Sequence, residues 1–352
     1  MKKRGRGIAT IGYPTGVYRG GDPNQAEIGL KMDGTLDLLL GSSDLGQGCK
    51  TILPQIAAEE LDVPIETITF TNTDTDVAPY CRGTFASRVT FIGGNATIRA
   101  CQDLKQKIKK FAAPRMGVAP DHLELANGQV FIRGNSNAFM SLAEIGTASI
   151  MEGELLVGYG AYAPEGPFPI DPATGAQPFL ASSAFATGIL DVEVDTGTGV
   201  VEVIKGVYVY EIGKAINPLM CKMQINGGSA IGIGNALSED AHPYWPSTDF
   251  AVESLGDYVV MTAADLPPDN SHAIIEVALP DGPYGAKGFA EMTANVQIPA
   301  ITAAIHDAIG VWITQFPITP ELILKALDSK RTPGGGTHPT LRHSKIEKGS
   351  GG

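Results

Sequence analysis

The sequence carries little with which to build an electron relay or a disulfide scaffold: four cysteines in 352 residues, at 49, 81, 101 and 221. No pair falls at C-x-x-C spacing, which excludes a zinc ribbon and the standard iron–sulfur ligation patterns. Dispersed cysteines in an acidic chain read as reduced and structural. No run approaches the ~18 consecutive apolar residues of a membrane helix, and the basic start MKKRGRGIAT lacks the apolar core of a secretory signal. Positive charge is short as well. With 26 Lys and Arg against 38 Asp and Glu, the net charge of −12 argues against a nucleic-acid footprint. What is plentiful is hydrophobic residues, at 43%, in a length that suits about two domains. The expectation is a soluble, unexported, cytoplasmic chain.

The most informative stretch runs from Thr35 to Thr51, TLDLLLGSSDLGQGCKT. Leu36, Leu38, Leu39 and Leu40 read as a buried strand, Gly41 to Gly48 as a glycine-rich turn, and CKTILPQIAAEEL as a helix in which Pro54 fits best near the first turn. Strand, turn and helix start together aim backbone N–H groups outward, and the helix dipole adds roughly half a positive charge. A phosphate or another anion suits such a place; a plain tight turn explains the spacing equally well. A Walker-type loop is excluded because Cys49 separates Gly48 from Lys50 and Thr51, and the dinucleotide fingerprint fails because Thr51 stands at its third glycine.

Along the rest of the chain the pattern is mixed α/β. GIATIGYPTG reads as a glycine-bearing loop ahead of the first strand. Ile68 to Thr75 alternates like a strand, and Asp76 to Gly94 reads as a long loop. In the helix that follows, Ile98, Cys101, Leu104, Ile108 and Phe111 share one face. LELANGQVFI reads as a hairpin turning at Asn127-Gly128. Proline and glycine thicken from 158 to 178, which reads as an irregular connection. A second hairpin turns around Asp195 to Gly199, INGGSAIGIGNALSED reads as a tightly packed helix, and IPAITAAIHDAIG and TPELILKAL read as two more. The expected organisation is 1–157 and 158–330 as two subdomains, with 331–352 a disordered tail whose His338 and His343 are no metal ligands.

GSSDLGQGCKT resembles the G-Q-G motif of the molybdenum-binding subunit in the xanthine dehydrogenase/aldehyde oxidase family. Three more stretches resemble that family in the same chain order. GTFASR followed by GGNA is similar to its T-x-x-S-R segment; taken as residues alone, Thr84 and Ser87 offer hydroxyls and Arg88 a forked donor. EIGKAINPLMCKMQING is similar to its D-x-G-x-x-x-N-P…Q-x-x-G segment, although alone it reads only as a loop entering a helix. GPYGAKGFAEMTANVQIP is similar to its K-G-x-G-E segment, with Ala290 in place of the usual glycine.

The resemblance implies an α+β (mixed α/β) molybdenum-cofactor-binding domain of two subdomains. It implies cofactor contacts from Gly46, Gln47, Gly48, Thr84, Phe85, Ala86, Ser87, Arg88, Gln224, Lys287 and Gly288, with Phe85 and Tyr13 on the substrate side. Glu291 takes the position of the family's base, and a desolvated setting between a glycine loop and an apolar helix is expected to raise its basicity. An exposed glutamate at a helix start is the bland alternative. The family's molybdenum region has two halves, and the matches fall in the second, which implies a split-chain form like bacterial nicotinate dehydrogenase. The implied cofactor is molybdenum-pyranopterin, in the cytosine dinucleotide form, with a terminal sulfido or selenido ligand. The implied partners are a larger molybdopterin-binding subunit, a [2Fe-2S] subunit and an FAD subunit. The implied reaction is hydroxylation of an N-heteroaromatic, nicotinate-like or purine-like, with water-derived oxygen. An aldehyde oxidoreductase and a non-catalytic structural subunit are the alternatives.

Overall fold

The computed structural model describes residues 1–16, 22–164, 171–175, 182–240, 252, 254–256 and 258–331. The expected tail lies outside these, apart from Arg331 at the end of the last helix. Two four-stranded sheets, each backed by helices, carry the two hydrophobic cores.

The first sheet is built from β2 (Asn24–Leu30), β3 (Leu36–Leu40), β4 (Ile68–Thr71) and β8 (Val157–Tyr162), in the order β4-β3-β2-β8. The leucine run is β3, and α1 (Cys49–Leu61) carries the chain across to the parallel β4, a strand–helix–strand unit. Pro54 is the sixth residue of α1, deeper than expected, and offers no N–H to the carbonyl four residues back. A π-helical turn, Val89–Gly93, opens α2 (Gly94–Met116), whose Cys101, Leu104, Ile108 and Phe111 are buried as their spacing predicts. The hairpin of β5 (Leu123–Ala126) and β6 (Gln129–Ile132) turns through Asn127 and Gly128, both at positive φ. With β7 (Asn135–Ser141) it makes a small third sheet, and α3 (Leu142–Met151) follows behind a Ser141/Glu144 capping box.

The second sheet has the order β1-β9-β10-β11, from β1 (Lys2–Pro14), β9 (Ser183–Asp195), β10 (Val201–Glu211) and β11 (Asp269–Ile275). Helices α4 (Pro218–Leu237), α5 (Met292–Asn295) and α6 (Gln297–Ile309) back it, and α7 (Pro320–Arg331) adds Ile323 and Leu327 to the same core. The opposite face of this sheet is open, with Ile8, Phe185 and Ile275 exposed on β1, β9 and β11.

Two glycine-rich segments depart from expectation for one reason. GIATIGYPTG lies largely in β1, and the start of the 158–178 stretch is β8. A side chain at Gly5 or Gly7 would meet the Ala304 or Ala300 carbonyl oxygen at 2.1 and 1.9 Å. At Gly158 and Gly160 it would meet the Ala100 and Ala96 carbonyl oxygens at 2.2 and 2.1 Å. In each sheet, two alternate glycines let a helix backbone lie directly on the strand. β1 pairs with β9 and β8 with β2, so hydrogen-bonded ladders join residues on either side of position 157.

Candidate active site

A cavity of about 440 Å³ opens where four segments meet: the Ser43–Gly48 turn, the 83–90 loop, the α4 face and the stretch 286–295. Local geometry makes each segment rigid. In the turn, Asp44 accepts from the backbone N–H groups of Gly46 (2.8 Å), Gly48 (3.4 Å) and Lys50 (2.9 Å). Burial pushes the Asp44 carboxyl up, yet the three N–H donors outweigh it and hold the group below its usual range. The anion anticipated at this helix start is therefore the chain's own carboxylate. Asp44 was legible only as an acid inside a glycine loop. Burial also pushes the Cys49 thiol beneath it up to about 12.

The Gln47 side chain folds back onto the same turn, accepting from Leu45 N–H at 2.5 Å and donating to the Ser43 carbonyl at 3.0 Å. The Thr84 hydroxyl donates to that carbonyl too, at 2.7 Å, which ties the second loop to the first. Gly46 and Gly48 supply the left-handed backbone of the turn, at φ 99° and 88°, rather than cavity wall.

Arg88 does something other than present a fork to a ligand. Its side chain is fully buried against the buried Asp22, with Nε donating to Oδ1 at 2.6 Å. Its Nη1 donates to the Gly83 carbonyl (2.9 Å) and Cys81 Sγ (3.1 Å), and its Nη2 to the Pro23 carbonyl (2.7 Å). The guanidinium shapes the 81–88 loop from inside. Ala86 and Ser87, at φ 48° and 51°, turn that loop so that Ser87 and Phe85 line the cavity.

Lys287, Gly288 and Glu291 arrive on the last segment. A side chain at Gly288 would stand 1.7 Å from the Ser87 carbonyl oxygen, so only glycine lets the two loops touch. Gly288→Ala should push them apart, lower stability by roughly 1–3 kcal/mol in a denaturant melt and reduce turnover together. Glu291 is exposed, which corrects the expected desolvation: only α5, a four-residue helix, starts behind it. Its carboxylate accepts from the Ser87 hydroxyl, and Tyr13, at the end of β1, faces both groups. Gln224 lines the cavity from α4 and has no hydrogen bond to any described residue.

The charges around the cavity divide unevenly. Arg88 is matched by Asp22, Lys214 by Glu276 at 2.8 Å, and Lys287 by Glu211 at 2.7 Å. Among the described residues, Glu291 has no cation partner. The uncompensated charge on the wall is a carboxylate beside an apolar lining of Ile52, Phe85, Ile212, Ile216 and Ile231.

Comparison with known proteins agrees with this architecture. Residues 1–267 match the family described as Molybdopterin cofactor-binding domain. A probable hypoxanthine oxidase of Escherichia coli K12 is 31% identical over 335 residues, 92% of this chain and 32% of that protein. The gamma subunit of the 6-hydroxypseudooxynicotine dehydrogenase complex of Paenarthrobacter nicotinovorans is 31% identical over 302 residues, 82% of this chain and 36% of that one. The crystal structure of quinoline 2-oxidoreductase from Pseudomonas putida 86 superposes with a TM-score of 0.78 at 27% identity, covering 93% of this chain and 42% of that chain. The chain thus spans 32% to 42% of the length of these relatives. It belongs to the molybdopterin cofactor-binding domain family of the xanthine dehydrogenase/aldehyde oxidase type.

Proposed function

We propose that this chain forms one part of a molybdenum hydroxylase that oxidises an N-heteroaromatic compound, nicotinate-like or purine-like, with oxygen derived from water. The observation that carries the reading is the lone carboxylate. Among the described residues, Glu291 is the charged group lining the cavity that no neighbouring cation neutralises, and Phe85 lines the same cavity. A carboxylate so placed takes a proton; an aromatic side chain beside it offers a flat face to a ring.

The residues fit a pyranopterin. Among the described residues no cluster of three His, Cys, Asp or Glu could hold a bare metal ion, whereas amides, hydroxyls and close-approach glycines line the cavity. Gln224, with its amide unengaged, and the loops carrying Gln47, Thr84, Ser87, Lys287 and Gly288 would hold the pterin. Arg88 and Asp44 keep two of those loops in shape. When bound, the cofactor would supply a two-electron redox centre and the oxygen transferred. We assign to it the cytosine dinucleotide form and a terminal sulfido or selenido ligand, with Fe–S clusters and FAD on partner chains.

The names of two of the relatives support the choice of substrate class: hypoxanthine and quinoline are both N-heteroaromatics. A larger molybdopterin-binding subunit, a [2Fe-2S] subunit and an FAD subunit are the proposed partners. Support comes from a relative named as the gamma subunit of a dehydrogenase complex and from the exposed Ile8, Phe185 and Ile275 on the second sheet.

The test is metal and pterin analysis of the purified assembly, with dye reduction by N-heterocycles against aldehydes. Stoichiometric molybdenum and turnover of heterocycles are expected. Turnover of aldehydes alone would move the assignment to an aldehyde oxidoreductase, and an assembly free of molybdenum to a structural subunit. The Gln47→Ala/Gln224→Ala pair should lower molybdenum content, since each lost hydrogen bond costs about 1–3 kcal/mol. Full occupancy in that variant would remove both residues from the cofactor site.

A further inference from the structure

Glu291 is exposed and unmatched by any described cation, so something other than an ion pair fixes where its carboxylate points. The geometry points to Tyr13 and Ser87 as positioning residues, two hydroxyls that hold the Glu291 carboxylate against the cavity wall. This inference rests on the role as base given to Glu291 above.

The end of β1 is pinned between the two loops it serves. Gly16 N–H donates to the Ala86 carbonyl at 2.8 Å, and the Thr15 hydroxyl donates to the Gly288 carbonyl at 3.4 Å. The first anchor holds Ala86 itself, which with Ser87 takes successive left-handed conformations that persist only where the surroundings hold them. The result is a reciprocal contact. Ser87 Oγ donates to Glu291 Oε2, and the Glu291 backbone N–H donates back to Ser87 Oγ at 3.4 Å.

Tyr13 completes the arrangement from β1. Its phenol is half-buried at the end of the strand whose Thr15 and Gly16 grip the Gly288 and Ala86 carbonyls, within reach of the Glu291 charge. Burial first, and then the charge and hydrogen bond of Glu291, push the phenol up to about 12, so it is a proton donor across the neutral range. Of the remaining charged groups on the wall, Lys287 is held by Glu211, Lys214 by Glu276 and Arg88 by Asp22. An exposed carboxylate otherwise samples several rotamers, and the Ser87 hydrogen bond, with the Tyr13 phenol beside it, selects one.

The experiment combines kinetics with a chemical probe on the purified assembly. Tyr13→Phe and Ser87→Ala should each lower kcat per molybdenum roughly tenfold with KM nearly unchanged, and Tyr13→Phe should keep molybdenum per chain at the wild-type level. Neither substitution should lower activity further in a Glu291→Gln background, because both act through the same carboxylate. Independently of turnover, carbodiimide-promoted amine labelling mapped by mass spectrometry should rise several-fold at Glu291 in both variants, with Asp307 unchanged as the control. Ser87→Gly relieves the left-handed backbone but removes the hydroxyl, and should match Ser87→Ala. A raised KM with unchanged kcat in Tyr13→Phe would make that tyrosine a substrate contact and overturn the inference. So would additive losses on Glu291→Gln, or labelling that does not change. Should Glu291→Gln itself retain full turnover, the base role fails, and the labelling result alone decides whether the two hydroxyls hold the carboxylate.

Discussion

Glu291→Gln should leave molybdenum and pterin content at wild-type levels and lower turnover by about 10²–10⁴-fold, the usual contribution of a positioned acid–base group. The amide keeps the size of the carboxylate and can still accept from Ser87, so the loops should stay together and the loss should fall on kcat. Near-normal turnover in this variant would remove Glu291 as the base. A fall in metal content with turnover per molybdenum unchanged would place Glu291 among the groups that retain the cofactor.

The second large effect concerns stability. Arg88→Met should destabilise the chain by roughly 3–5 kcal/mol, because it takes the Arg88 ion pair from the buried Asp22 carboxylate. The side chain is 0% exposed and makes three hydrogen bonds besides the ion pair, counting the sulfur, so water cannot fill the place. The measurement is a denaturant melt of the cofactor-free protein. An effect seen there makes Arg88 a structural part of the 81–88 loop; an effect seen only with cofactor bound would make it a ligand. Arg88→Met/Asp22→Leu should recover part of the loss, since replacing both members of a buried pair with apolar groups removes the unmatched charge.

Helices α1, α2, α4, α6 and α7, the two hairpins and the leucine strand were legible because their signals are local: apolar period, the Asn127-Gly128 turn and the glycines between Asp195 and Gly199, and Pro near a helix start. Strands β1 and β8 were not. Their glycines weaken the strand signal and are explained only by helices that approach from elsewhere in the chain, α6 at Ala300 and Ala304 and α2 at Ala96 and Ala100. At the site, the segments singled out by the resemblance meet at one cavity, which Gln47, Thr84, Phe85, Ser87, Arg88, Gln224, Lys287, Gly288 and Glu291 all line. What each side chain does there was less legible. No motif says that Arg88 turns inward, that Asp44 fills the helix start, or that Glu291 stays exposed, because each depends on a partner distant in sequence or on a short loop conformation.

The ladder between β1 and β9 also constrains how the chain reaches its native state. Arg4 and Glu193 stand 189 positions apart, and Gly7 must wait for Ala300 before its helix is in place. Closing so long a loop is entropically unfavourable until the intervening segments have condensed. The first core, from β2 to β8, needs nothing from beyond residue 162 to form its ladders. Residues 2–14 therefore remain an unpaired, partly apolar ribbon through early folding, and the basic side chains Lys2, Lys3, Arg4 and Arg6 keep that ribbon from pairing with copies of itself. The same four positive charges serve the finished protein and its unfinished precursor.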